Sequence, residues 1–138
     1  NKQGEPVAGA RVEIWQANSH GRYAHPNDDT GEPLDPNFHG FAVTHTDAQG
    51  HYSFKTVRPK AYRVTADRWR PAHIHFNVIG KTEQLVTQMY FVGEEWNATD
   101  TWLNSASRKD ALIVDPKPAA GKEPGALAVT FDIVLMKG

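Results

Sequence analysis

The sequence predicts an all-β fold, a compact β-sandwich with long active-site loops and at most a short helix. Three observations carry that expectation. Apolar residues recur with a period of two through most of the chain, as in strands that bury one face. No segment carries a heptad or a coherent amphipathic helix. The 11 glycines and 9 prolines fall largely between the alternating stretches and divide them into short runs.

The elements follow in order. Ala10 to Ala17 reads as a strand with Val12 and Ile14 on one face and Arg11, Glu13 and Trp15 on the other. Asn18 to Gly40 is rich in Gly, Pro, Asn, Asp and His and reads as a long ordered excursion from the scaffold. Phe41 to Thr46 and His51 to Val57 flank Asp47-Ala48-Gln49-Gly50, which predicts a hairpin with Gly50 as the permissive turn residue. Tyr62 to Ala66, Ala72 to Ile79, Gln84 to Val92 and Ala126 to Leu135 supply four more strands. A short helix is expected around Ser105 to Leu112. Asp115 to Gly125, with three prolines, reads as loop.

Length and charge narrow the function. At 138 residues the chain makes one domain, expected over residues 1–138, with an N-terminal extension before Asn1 left open. Fifteen Lys+Arg against 16 Asp+Glu leave a net charge of −1, which argues against a nucleic-acid partner bound through a basic field. No apolar run approaches the roughly 18 residues of a spanning helix, so no membrane role is expected. Cysteine is absent, and zinc–thiolate sites and thiol catalysis go with it.

His73-Ile74-His75 is the sharpest local signal. On a strand, residues two apart face the same side, so both imidazoles converge while Ile74 enters the opposite face. Neutral imidazole suits zinc, copper or iron. The remaining ligands decide between them. No His-Glu-X-X-His motif occurs, and Glu83 and Asp67 are the nearby carboxylates that could serve. Phenolates are the other source: Tyr23 lies in the loop excursion and Tyr62 starts the strand before the histidines. Two tyrosinates with two imidazoles would neutralise much of a trivalent ion's charge and favour oxidised iron. Both tyrosine pKa values would then have to fall far below their usual value near 10.

Beyond these residues, the chain resembles the intradiol ring-cleaving dioxygenases, closest to the protocatechuate 3,4-dioxygenase type. The stretches that carry the resemblance are Val12 to Asn18, Gly21-Arg22-Tyr23, Leu34 to Phe38, Trp69 to Phe76 and Thr87 to Phe91, in the family's order. The resemblance implies one non-haem Fe(III) ion held by Tyr23, Tyr62, His73 and His75. Tyr62 and His75 would be axial, and Tyr23 and His73 equatorial. It also implies a small aromatic diol as substrate and dioxygen as co-substrate. The ring is cleaved between its two hydroxyl-bearing carbons, giving a cis,cis-muconate-type diacid.

Under the same resemblance Tyr62 takes a substrate proton and Arg70 stabilises negative charge on the ring. Gln88 donates to a proximal oxygen or orients Arg70. Trp15 and Tyr90 are expected to line the substrate pocket. The usual Pro-Gly before the second tyrosine is here Lys60-Ala61. Two other readings of the residues stand beside this one: a divalent-metal β-domain enzyme using the two histidines, and a non-catalytic transthyretin-like or Cna-B-like binding domain. A homo-oligomer, or assembly with a related chain, is expected. Cytoplasmic localisation is favoured, with secretion left open.

Overall fold

The computed structural model describes residues 1–136; residues 137 and 138, the end of the expected domain, lie outside them. Its main element is a five-stranded sheet. β1 (Arg11–Trp15) pairs antiparallel with β2 (Phe41–His45) on one side and β5 (His73–Ile79) on the other. β5 pairs antiparallel with β6 (Gln84–Phe91), which takes β7 (Ile113–Val114) in parallel, for the order β2-β1-β5-β6-β7. β3 (Tyr62–Thr65) and β4 (Arg68–Arg70) form a separate hairpin, as do β8 (Lys117–Pro118) and β9 (Leu127–Ala128).

The alternation sorts the sheet's two faces. Val12 and Ile14 on β1, Ile74, Phe76 and Val78 on β5, and Met89 and Phe91 on β6 are buried together. Each such side chain contributes about 1.5–3 kcal/mol when fully buried. Phe131 and Leu135 complete the core, with half-buried Tyr52, Phe54 and Ile133 packed against it. Phe76 sits at its centre, with the rings of Tyr52, Phe54 and Phe131 at 6.2, 5.9 and 5.2 Å. The opposite face carries the cross-strand row Phe41–Trp15–His75–Gln88.

The covering layer departs from expectation. The turn at Asp47 forms, with Gly50 N–H donating to Asp47 O at 3.0 Å and the Asp47 carboxylate accepting from the Gln49 and His51 amides. His51 to Val57 nevertheless makes no strand ladder, so the expected hairpin is only a turn. Side chains replace the ladder. Gln16 Nε2 donates to Val57 O at 2.9 Å, Thr56 Oγ1 donates to Gln16 Oε1 at 2.8 Å, and Tyr52 OH donates to Phe131 O at 2.8 Å. The strand expected over Ala126 to Leu135 shrinks to β9, and beyond it Phe131, Ile133 and Leu135 pack on the core without belonging to a strand.

The helix is also displaced. α1 spans Thr101–Ser105, because Asp100 caps it by accepting the Leu103 N–H at 2.8 Å. The expected stretch retains only a 3-10 turn at Lys109–Leu112. The loop expected over Asp115 to Gly125 includes β8. No helix among the described residues is long and apolar enough to cross a membrane.

Candidate metal centre

The loop excursion positions Tyr23 without strand or helix. Asn18 Oδ1 accepts from the His20 and Arg22 amides at 2.9 and 3.0 Å, and Asn18 Nδ2 donates to Pro33 O. Asp28 accepts the Tyr23 N–H at 2.9 Å, which fixes the backbone of that residue. Gly21, at φ 88°, lets the loop lie against Ala61 and Tyr62. A Cβ there would stand 2.8 Å from Ala61 O. The two tyrosine rings consequently meet edge to face at 5.4 Å.

Tyr62 opens β3, whose register pairs it with Arg70 at the end of β4. Pro71 and Ala72 follow, and β5 then presents His73 and His75 on one face with Ile74 buried in the core. His73 Nε2 and His75 Nε2 lie 3.1 Å apart, and Tyr23 OH lies 3.1 Å from His75 Nε2. The Tyr62 ring is 5.7 Å from that of His73. The four side chains named from sequence as ligands are therefore neighbours.

The electrostatics suit a cation. His73 Nδ1 lies 2.7 Å from Pro71 O, an acceptor, so Nδ1 carries the proton and Nε2 is the unprotonated nitrogen. Burial, reinforced by the Arg70 charge, lowers the His73 pKa to about 4. Burial, then His73 and Arg70, lowers that of His75 to about 3. Both imidazoles are neutral donors at pH 7. Burial and the neighbouring Tyr62 push the Tyr23 phenol upward, so it keeps its proton until a positive ion arrives. His73 Nε2, His75 Nε2 and Tyr23 OH are close enough to one another to serve a single ion. Two neutral imidazoles and two phenol oxygens form a donor set that fits a hard trivalent ion such as iron(III).

The divalent-metal reading calls for a carboxylate beside the two histidines. Among the described residues no three His, Asp or Glu side chains gather into such a group.

Arg70, 8% exposed, sits behind His73. Its Nη1 donates to His73 Nε2 at 3.1 Å, and its Nη2 donates to Gln88 Oε1 at 2.6 Å and to Tyr90 OH at 3.0 Å. Gln88 thus contacts the guanidinium directly. Tyr90, expected in the pocket lining, is 1% exposed and packs against Arg70 and Gln88 rather than presenting an open wall. Trp15 lies on the sheet's outer face against His75. Trp69 stacks on Trp96 at 5.9 Å instead of reaching the histidines. His20, His25 and His39 are exposed.

One member of the cluster was not singled out in the sequence. Asp100, 3% exposed, accepts from Arg70 Nε at 2.8 Å. Burial opposes its ionisation, yet the hydrogen bonds from Arg70 and the Leu103 amide hold the carboxyl below its usual range. Its place just before Thr101-Trp102-Leu103 was the available signal, as a helix cap. A cavity of about 160 Å³, lined by Val7, Ala10, Val12, Tyr52, Val78 and Phe131 among others, lies toward the opposite end of β1 and β5. None of the four clustered side chains, Tyr23, Tyr62, His73 and His75, borders it.

Fold and site together define a β-sheet domain with a two-tyrosine, two-histidine donor set beside a buried arginine. The family described as Dioxygenase matches residues 1–137. The protocatechuate 3,4-dioxygenase beta chain of Burkholderia cepacia is 44% identical over 138 residues, covering 96% of this chain and 59% of that protein. The chlorocatechol 1,2-dioxygenase of Pseudomonas sp. (strain P51) is 33% identical over 146 residues, covering 96% and 53%. The crystal structure of 3-chlorocatechol 1,2-dioxygenase from Rhodococcus opacus 1CP superposes with a TM-score of 0.75 at 24% identity, covering 94% of this chain and 53% of that one. This chain spans a little over half the length of these relatives. It belongs to the intradiol dioxygenase family.

Proposed function

We propose that this protein is an iron(III)-dependent intradiol dioxygenase. It takes a catecholic ring, protocatechuate or a related catechol, and cleaves it between the two hydroxyl-bearing carbons to a cis,cis-muconate-type diacid. The observation that carries this reading is the meeting of Tyr62, His73 and His75 with Tyr23 from a loop 52 residues before His75, a group matched in donor chemistry to one hard ion.

Tyr23, Tyr62, His73 and His75 would hold the ion. Bound iron(III) supplies Lewis acidity toward the diol oxygens and electronic activation of the ring toward dioxygen. The protein supplies the rest. The Tyr62 phenolate oxygen takes one proton of the diol, so that its charge passes to the substrate. Arg70 places a permanent positive charge beside His73, where negative charge developing on the ring is stabilised. Gln88 accepts from the same guanidinium and limits its rotation. The sheet holds the two imidazoles in fixed register, which matters where a displacement of about 1 Å is costly.

The similarity to a beta chain supports assembly with a related chain, with a homo-oligomer as the other arrangement. The test incubates iron-replete protein with catechol, hydroxyquinol and protocatechuate under isotopically labelled dioxygen. Products are identified by mass. A ring-opened diacid carrying both labelled oxygen atoms is the expected result, and the relative rates rank the substrates. Full activity in an iron-free preparation would overturn the reading.

A further inference from the structure

Arg70 has one nitrogen facing the histidines, and the reason lies on its other side. Asp100 Oδ2 accepts from Nε at 2.8 Å, while Gln88 and Tyr90 accept from Nη2. Oδ1 of Asp100 lies 3.4 Å from Nη2, so the carboxylate grips the guanidinium edge made by Nε and Nη2. Nη1 is left as the nitrogen directed at His73.

The carboxylate is itself held. Asp100 Oδ1 accepts the Leu103 N–H at 2.8 Å and lies 3.0 Å from Tyr90 OH. Leu103 is buried at 1% exposure, so Asp100 cannot turn without uncapping α1 and disturbing a packed side chain. A buried ion pair adds little net stability over well-packed apolar residues, because desolvation offsets the attraction. What this pair supplies is direction.

We propose that Asp100 is a positioning residue for ring cleavage: anchored to the first turn of α1, it fixes the plane of the Arg70 guanidinium so that Nη1 points into the metal centre. The inference rests on the reading of that centre as a ring-cleavage site. Once His73 gives its Nε2 lone pair to an ion, the Nη1 N–H is released for charge on the bound ring. Asp100 touches neither substrate nor ion and acts through Arg70.

The test uses the iron-loaded protein with Asp100→Asn (D100N), whose amide oxygen can still cap α1 but which cannot neutralise the guanidinium. Expected is a loss of about 10- to 100-fold in kcat, with iron content and visible spectrum retained. In an Arg70→Ala background, D100N should change kcat less than about 2-fold, since the group it directs is gone. A crystal structure of D100N should show the guanidinium rotated away from His73. Wild-type kcat in D100N, a full multiplicative loss in the double variant, or an unmoved guanidinium would each overturn the proposal. Should D100N not fold, Asp100→Glu carries the test: the charge is kept but displaced by a methylene, so kcat falls while iron is retained, and an unchanged kcat overturns it. A wild-type protein that cleaves no diol instead refutes the functional reading, and the position of the guanidinium then still decides on Asp100.

Discussion

Trp15 lies flat against His75, with ring centroids 4.8 Å apart and planes within 3° of parallel. The contact is a cross-strand pair of the β1–β5 ladder, in which Trp15 stands opposite His75. It orients the imidazole of a proposed ligand that, unlike His73, has no backbone carbonyl partner among its hydrogen bonds.

Removing that stack should therefore loosen the metal. Trp15→Ala is expected to lower iron affinity about tenfold, whereas Trp15→Phe retains most of it. Competition against a chelator measures both. Wild-type iron affinity in Trp15→Ala would assign Trp15 to the substrate side alone.

Gly21 controls the meeting of the two tyrosines. In Gly21→Ala the new methyl would combine a strained φ of 88° with a 2.8 Å approach to Ala61 O. A stability loss on the order of 1–3 kcal/mol is expected, with a weakened tyrosinate absorption band. Gly31→Ala is the control, because its φ is also positive, at 74°, and no atom lies within 4 Å. Its band should be unchanged, and denaturant unfolding with visible spectroscopy compares the pair.

Tyr62→Phe removes a proposed ligand and proton acceptor in one step. Turnover should fall by about 10²-fold or more, and the visible band should shift, because one phenolate no longer contributes to it. Steady-state rates and the spectrum of the iron-loaded variant are the two readouts. If neither changes, Tyr62 is not a ligand.

Acid should destabilise the metal-free protein well before its carboxylates titrate. The folded-state pKa values of His73 and His75 lie at about 4 and 3, below the ordinary 6.5 of an unfolded histidine. As pH falls through 6.5 the unfolded chain binds protons that the folded one refuses, so stability present above that pH is lost toward pH 4 and below. The loss by pH 5 is on the order of 2–4 kcal/mol for the pair. Urea midpoints at pH 7 and pH 5 measure it, and equal midpoints would contradict the burial that lowers these values.

The histidine pair was legible from three adjacent residues, because side-chain direction in a strand is set by the backbone itself. His73 and His75 share a face whatever surrounds them, and the same rule separated Val12 and Ile14 from Trp15. The second layer was less legible. His51 to Val57 has strand-like alternation but is held by Gln16 and Thr56 side chains, an arrangement that residue type along the segment does not encode. Asp100 was overlooked because a capping residue reads the same whether or not a buried arginine also docks on it.

From sequence alone came the strand periodicity, the two imidazoles on one face and, through family resemblance, the two tyrosines that belong with them. Tertiary structure decided the rest: that Gly21 lets a loop pass close enough to set Tyr23 beside Tyr62, that Arg70 turns one nitrogen toward His73, and that Asp100 holds it there. The physical division is one of range. Alternation along a strand follows from local backbone geometry, whereas contacts between residues far apart in sequence depend on loop closure and on which buried polar groups find partners when the chain compacts.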